Sequence, residues 1–102
     1  MEAKDQIEIL KKAKQLITRR DTFFVCVAIQ HELRVIHNID TLCAYCPKYI
    51  PLLTSENAQK ACKKHKLKMP VRQWHGGWWA TDNIKSRICF INWMIKELEK
   101  EL

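Results

Sequence analysis

The chain of 102 residues is long enough for one domain with a single modest core and too short for two. Hydrophobic residues make up 47% and charged residues 28% of it, a globular composition that excludes extended disorder. The formal net charge is +7, which favours a partner that carries negative charge. The sequence therefore predicts one domain over residues 1–102.

The chain carries no sequence signal for a membrane or for export. Its longest apolar run, at 23–29, is far shorter than the roughly 20 residues that span a bilayer, and the first 20 residues lack the apolar centre of a signal peptide. We therefore expect a cytoplasmic protein of a bacterial host cell with no membrane partner. Five cysteines, an odd number, are then free thiols or metal ligands rather than a disulfide framework.

The first half of the chain predicts two amphipathic helices. Over 2–18, apolar residues recur every three or four positions, at Ile7, Leu10, Ala13 or Lys14, and Ile17. The apolar run that follows also suits a strand, but its stripe continues with helical spacing. We predict a second helix over 22–37, capped by Asp21 or Thr22, with an apolar stripe formed by Cys26, Ile29, Leu33 and Ile36.

The middle of the chain predicts two shorter helices. One covers 42–46, because Pro47 and Pro51 prevent a longer continuation. Thr54 or Ser55 can cap the next helix, over 56–66. Its narrow apolar edge consists of Ala58, Ala61, Cys62 and, at the end, His65.

The last third contains a tryptophan-rich stretch at 74–82 and the longest helical pattern. That pattern has a period near 3.6 residues and comprises Ile84, Ile88, Ile91, Ile95, Leu98 and Leu102. Trp93 is predicted to lie in the core beside it. The fold class is therefore an all-α bundle of four or five helices, in which the first, second and last helices pack together and the tryptophan-rich loop packs across them.

Two close pairs of potential ligands suggest a metal site. Cys43 and Cys46 are separated by fifteen intervening residues from Cys62 and His65, a spacing that fits structural zinc. No glycine of a zinc knuckle is nearby, so ordinary thiols are the alternative, and Cys43 with Cys46 could also form a redox pair. We expect no cofactor unless the four residues bind zinc.

Two basic blocks carry much of the charge, one at 11–20 and one at 60–72. The second is the predicted contact with a partner or with nucleic acid, and Trp74 and Trp78 beside it could stack on unpaired bases. The alternative is that the cations favour helix C-termini and the tryptophans are core. The residues of the second block are Lys60, Lys63, Lys64, Lys66, Lys68 and Arg72.

The sequence offers little for catalysis. Neither serine, Ser55 or Ser86, lies in a nucleophile elbow, and two glycines in all leave no glycine-rich phosphate loop. His31 and His37 would not share a helix face. We therefore predict that the protein is not an enzyme.

Five segments together resemble a loose group of small helical proteins encoded by phages and prophages. They are Ile7-x2-Leu10-x2-Ala13, residues 24–28, residues 50–58, Trp78-Trp79 and residues 87–95. Such proteins often bind and block a host defence component, and anti-CRISPR proteins are their best-known class. The resemblance implies a helical fold and an inhibitory function, and it assigns no site.

We therefore expect a phage-type inhibitor that binds a host defence protein or ribonucleoprotein, most simply a CRISPR effector ribonuclease. One alternative is a direct RNA- or DNA-binding regulatory module, with or without structural zinc. Another is an oligomeric sponge for a nucleotide immune signal.

Overall fold

The structure, a computed structural model, describes residues 1–19, 23–66, 73–74, 77–78 and 84–102, with only the backbone described at 73–74 and 77–78. Its α-helices are α1 (Ala3–Arg19), α2 (Val25–His37), α3 (Ser55–Lys64) and α4 (Ile84–Glu99), and a 3₁₀ helix covers Cys43–Lys48. None of the described helices is long and apolar enough to cross a membrane. The predicted all-α fold is confirmed.

Helix α1 lies at the centre of the bundle and packs against both α2 and α4. Its periodic apolar residues are buried as predicted, and Ala13 rather than Lys14 takes the third place in the stripe. Helix α2 begins at Val25, three residues later than predicted. Its apolar face is buried from Val25 to Leu33, and Ile36 is half-buried. The first, second and last helices therefore form the bundle, as the sequence indicated.

A buried arginine joins α4 to the start of α2. Arg87 is only 4% exposed, and its Nη1 donates a hydrogen bond of 3.1 Å to the carbonyl oxygen of Phe23. Its guanidinium also lies 4.6 Å from the centre of the Phe24 ring. These contacts compensate part of the cost of burying the charge, so Arg87 fixes how α4 meets α2.

The two shorter helices lie near their predicted positions. The 3₁₀ helix includes Pro47 and packs against α2. Thr54 caps α3, because its hydroxyl oxygen accepts a 3.1 Å hydrogen bond from the backbone N–H of Asn57. Ala58, Ala61 and Cys62 are buried as predicted, whereas His65 follows the helix and is exposed.

The apolar face of α4 differs from the predicted stripe at both ends. Ile91, Ile95 and Leu98 are buried, but Ile84 and Leu102 are exposed and Ile88 is half-buried. The buried face also includes residues between the predicted positions, because α4 packs against both α1 and α3 and so buries a wider face. These additional buried residues are Ser86, Arg87, Phe90 and Met94.

Two short strands represent the described part of the tryptophan-rich stretch. Strand β1 (Gln73–Trp74) pairs antiparallel with β2 (Gly77–Trp78), and the backbone of β2 lies beside the 3₁₀ helix. The predicted packing of the tryptophan side chains across the bundle lies outside the described residues, as do the predicted caps Asp21 and Thr22.

Candidate functional site

Helix α4 forms the floor of an open, positively charged groove between α1 and α3. The groove consists of two adjoining hollows of about 940 Å³ and about 570 Å³. Lys14, Asn92 and Ile95 line both hollows, so the two adjoin at these residues. We call this surface the basic groove.

The cations of the basic groove come from three helices that are distant in sequence. Among the described residues that line it, Glu99 carries the only carboxylate. None of the groove cations forms an ion pair with another residue that the structure describes. Like charges gathered in a concave surface raise the local positive potential and attract anions. The cations are Lys11, Lys14 and Arg19 from α1, Lys64 from α3, and Lys85 and Lys96 from α4.

The floor of the groove combines apolar surface with one central amide. Ile88 and Trp93 are both half-buried and line the larger hollow. The Trp93 ring stacks with the buried ring of Phe90, with centroids 6.4 Å apart and planes inclined by 29°. Asn92, whose side chain is exposed, lies where the two hollows meet. The groove can therefore offer a ligand both apolar contacts and hydrogen bonds.

Only some of the predicted binding residues on and after α3 line the basic groove. Lys64 lines the basic groove together with His65. Lys60, Lys63 and Lys66 are exposed but do not line it, and Lys60 lies 3.9 Å from Glu56. The positions of Lys68 and Arg72 lie outside the described residues, as do the side chains of Trp74 and Trp78.

The four residues of the predicted zinc site do not come together. Cys43 and Cys46 lie in the 3₁₀ helix against α2, whereas Cys62 lies on α3 near Cys89 of α4. Among the described residues, no group of three or more histidine, cysteine, aspartate or glutamate side chains could hold a metal ion. The spacing suggested one tetrahedral set of four ligands, whereas the structure has two separate pairs, Cys43 with Cys46 and Cys62 with Cys89.

The thiols near the 3₁₀ helix are held in protein contacts. The Cys43 thiol donates to Oε1 of Gln30 at 3.1 Å, and the Nε2 of that glutamine donates to the carbonyl oxygen of Thr41 at 2.7 Å. Burial raises the pKa of Cys26 and of Cys46 to about 12, with a smaller contribution from the neighbouring Cys43 thiol. Burial also raises the pKa of Cys43. An activated redox thiol needs a lowered pKa, so the environment of Cys43 and Cys46 is that of structural thiols.

Sequence reasoning missed most of the groove cations as a site. Lys85, Asn92 and Lys96 recur at helical spacing and could have been placed on one face of α4 from the sequence. The approach of Lys14 and Lys64 to that face depends on how three helices pack, for which neither basic block gives a local signal. Of the predicted binding residues, Lys64 lines the groove, and its contact with a partner stays a prediction.

No protein family, curated protein or solved structure matches the chain. The assignment of the site therefore depends on the geometry and charge of the basic groove itself.

Proposed function

We propose that the protein is a non-catalytic, phage-type accessory protein that binds and inhibits a host defence complex that handles nucleic acid, most simply a CRISPR effector ribonuclease. One observation supports this above all: lysines from three helices surround one groove without ion pairs to other described residues. Such a surface can occupy a negatively charged region of a ribonucleoprotein. Binding there would obstruct the path of the substrate.

The small size of the domain and the residues of the groove are consistent with inhibition by binding. The ionisable groups that line the groove are lysines, one arginine, His65, Cys89 and Glu99. Burial raises the pKa of the Cys89 thiol, which lowers its fraction of reactive thiolate. The groove therefore supplies charge and shape rather than an activated nucleophile.

The test measures cleavage of a labelled target RNA by purified CRISPR ribonucleases of several types, each loaded with guide RNA. We expect an excess of the protein to suppress cleavage by at least one effector. Changing Lys14, Lys64 and Lys96 together to Glu should restore cleavage, because all three line the groove. Full activity of every effector in the presence of the wild-type protein would contradict the proposal.

A matched control has the same change of charge elsewhere on the surface. Lys12, Lys48 and Lys63 are exposed, line neither hollow and form no ion pair with another described residue. Their combined replacement by Glu should leave inhibition within about threefold of wild type, since the net charge then changes without altering the groove.

A direct nucleic-acid-binding regulatory module is the second candidate, and the same unpaired cations favour it. Such a module binds RNA or DNA without any protein partner, and its affinity falls steeply with salt because each phosphate contact releases counterions. Regulation of a reporter promoter or transcript in cells without a defence system would favour this candidate over the inhibitor.

A further inference from the structure

We infer that the basic groove binds an unpaired nucleic-acid strand of about five nucleotides, with its phosphates on the lysines and one base against Trp93. The inference rests on the proposed function in taking the basic groove as the contact site, and it adds the chemistry of the ligand. Three features of the groove support it: the arrangement of its cations, the make-up of its floor and its concave shape.

The cations are spread along the groove rather than gathered at one point. Lys85 and Lys96 lie eleven residues apart on α4, about 16 Å at the helical rise of 1.5 Å per residue. Lys14 lines both hollows, and Lys11 and Arg19 line the second hollow. Stacked nucleotides advance about 3.4 Å each along a strand, so this length corresponds to about five nucleotides. That number is at the low end of the site sizes of single-strand-binding domains.

The floor offers the two kinds of contact that exposed bases use. The half-buried Trp93 ring, backed by Phe90, can stack on a base. Asn92 in the floor and Gln15 beside the second hollow carry amide donors and acceptors that can pair with base edges. A ligand with alternating charged and flat polar groups matches both the walls and the floor.

The concave shape and the apolar floor disfavour a duplex. In a double helix the bases are stacked inside and the phosphates lie on a convex surface, so Trp93 and Ile88 would face no base. A single strand can enter the hollow and present its bases. The groove therefore selects an unpaired strand.

An acidic protein helix and a single nucleotide fit the groove less well. The helix would place apolar side chains against Asn92, whose amide would then lose water without gaining a hydrogen-bond partner. A single nucleotide is too short to reach both Lys85 and Lys96. Each of these two ligands is a competing outcome of the experiment.

The experiment is fluorescence anisotropy with labelled octamers of uridine, adenosine and thymidine, a labelled RNA hairpin stem, a labelled oligoglutamate peptide, and unlabelled UTP as competitor. We expect the octamers to bind more tightly than the hairpin or the peptide, and UTP to compete poorly. Comparison of the RNA and DNA octamers shows which sugar the groove accepts. Either preference is consistent with an unpaired strand.

Two variants of equal charge locate the binding. Replacing Lys14, Lys64 and Lys96 by Glu should weaken octamer binding at least tenfold and reduce the salt slope by about 2, because each lost phosphate contact removes about 0.7. Replacing Lys12, Lys48 and Lys63 by Glu should change the affinity less than threefold. Circular dichroism and thermal melting verify that both variants are folded.

A pair of single variants tests the stacking contact. Trp93→Leu should weaken octamer binding about tenfold, whereas Trp93→Phe should retain most of it because an aromatic face remains. Equal affinity of wild-type protein and Trp93→Leu would refute the contact between base and ring.

Other outcomes overturn the inference in distinct ways. Equal loss of octamer binding in both charge variants refutes the groove as the site, tighter binding of the peptide indicates an acidic protein partner, and effective competition by UTP indicates a nucleotide site. If the groove binds octamers but no effector is inhibited, the proposed function fails and the inference stands. If groove-dependent inhibition occurs without octamer binding, the inference fails and the proposed function stands.

Discussion

The polar groups of the basic groove differ in exposure and in protein partners from those of the region where α2 meets the 3₁₀ helix. Near the 3₁₀ helix, the thiols of Cys43 and Cys46 donate to protein oxygen atoms, and Cys26 is buried beside them. The nearby hollow is only about 210 Å³ and is lined by both Arg34 and Asp40. In the basic groove, the hollows are several times larger and the cations lack ion-pair partners among the described residues.

This difference separates residues that stabilise the fold from residues available to a ligand. Buried polar groups that have protein partners contribute to stability and resist change. Exposed like charges in a concave surface contribute little to stability and are free to bind anions. Cys43-x2-Cys46, which the sequence suggested as a metal or redox site, belongs to the residues that stabilise the fold. The lysines that three helices contribute to the groove belong to the residues available to a ligand.

The largest expected effect is a difference in the free energy of unfolding between variants of two α4 isoleucines that the sequence predicted to be equally buried. Ile91 is fully buried, so Ile91→Ala should lower the free energy of unfolding by about 2–5 kcal/mol. Ile88 is half-buried in the groove floor, and Ile88→Ala should cost less than half as much. Urea denaturation followed by circular dichroism measures both. Equal costs would show that the groove floor is part of the core.

The buried thiols predict a loss of stability at alkaline pH. The pKa of Cys26 and of Cys46 is raised from 9.0 to about 12 in the folded protein, whereas the unfolded thiols ionise near the ordinary value. Their stabilising contribution is complete below pH 9 and falls as the pH rises toward 12, by about 3 kcal/mol for the pair at pH 10. Urea denaturation at pH 8, 9 and 10 measures the fall.

A double variant supplies the control for that pH dependence. With Cys26 and Cys46 both changed to Ala, the fall in stability between pH 8 and pH 10 should be clearly smaller, although the variant is less stable at every pH because it loses buried sulfur atoms. The remaining fall comes from Cys43, Cys62 and Cys89, because burial raises the pKa of these thiols as well. An unchanged pH dependence in the double variant would assign the titration to other groups.

Arg87 should contribute more to stability than its charge suggests. Arg87→Met keeps an unbranched apolar stem but removes the donor to the Phe23 carbonyl and the contact with the Phe24 ring. We expect a loss of about 1–3 kcal/mol, measured by thermal melting. The exposed Lys85→Met, two residues away on α4, is the matched control and should change stability by less than about 0.5 kcal/mol.

The smallest expected effect is at the start of α3. Thr54→Ala removes the hydroxyl that caps the N–H of Asn57 and should cost about 1 kcal/mol. Thr54→Ser should retain most of the stability because the serine hydroxyl can accept the same hydrogen bond. A loss as large for Ser as for Ala would show that the methyl group, not the cap, matters.

Hydrophobic periodicity predicted the helices because each follows a local stripe that needs only a neighbouring surface to bury it. The preference of helix N-caps for Thr and Ser selected Thr54 as one of two candidate caps. Periodicity placed Ile84 in the core incorrectly, since the face of α4 that neighbouring helices cover is a property of the assembled bundle. The burial of Arg87 was missed because a charged side chain is normally expected in water.

The basic groove was only partly predictable for a similar physical reason. Charge blocks along the chain indicate where cations are frequent, but a groove forms where separate helices bring their cations together. Lys64 was identified from its block, whereas the contribution of Lys85 and Lys96 depends on the face of α4 that remains uncovered. Spacing alone likewise could not show that Cys43 and Cys62 lie in different parts of the bundle.

The most direct test of the basic groove as the binding site is a titration of the ¹⁵N-labelled protein with unlabelled uridine octamer, followed by ¹⁵N–¹H correlation NMR. If the octamer binds in the basic groove, the largest changes in chemical shift occur at Lys14, Lys64 and the α4 residues from Lys85 to Lys96, while the shifts of Cys43 and Cys46 remain unchanged. Shift changes concentrated on α2 and the 3₁₀ helix, with the groove residues unaffected, would contradict it.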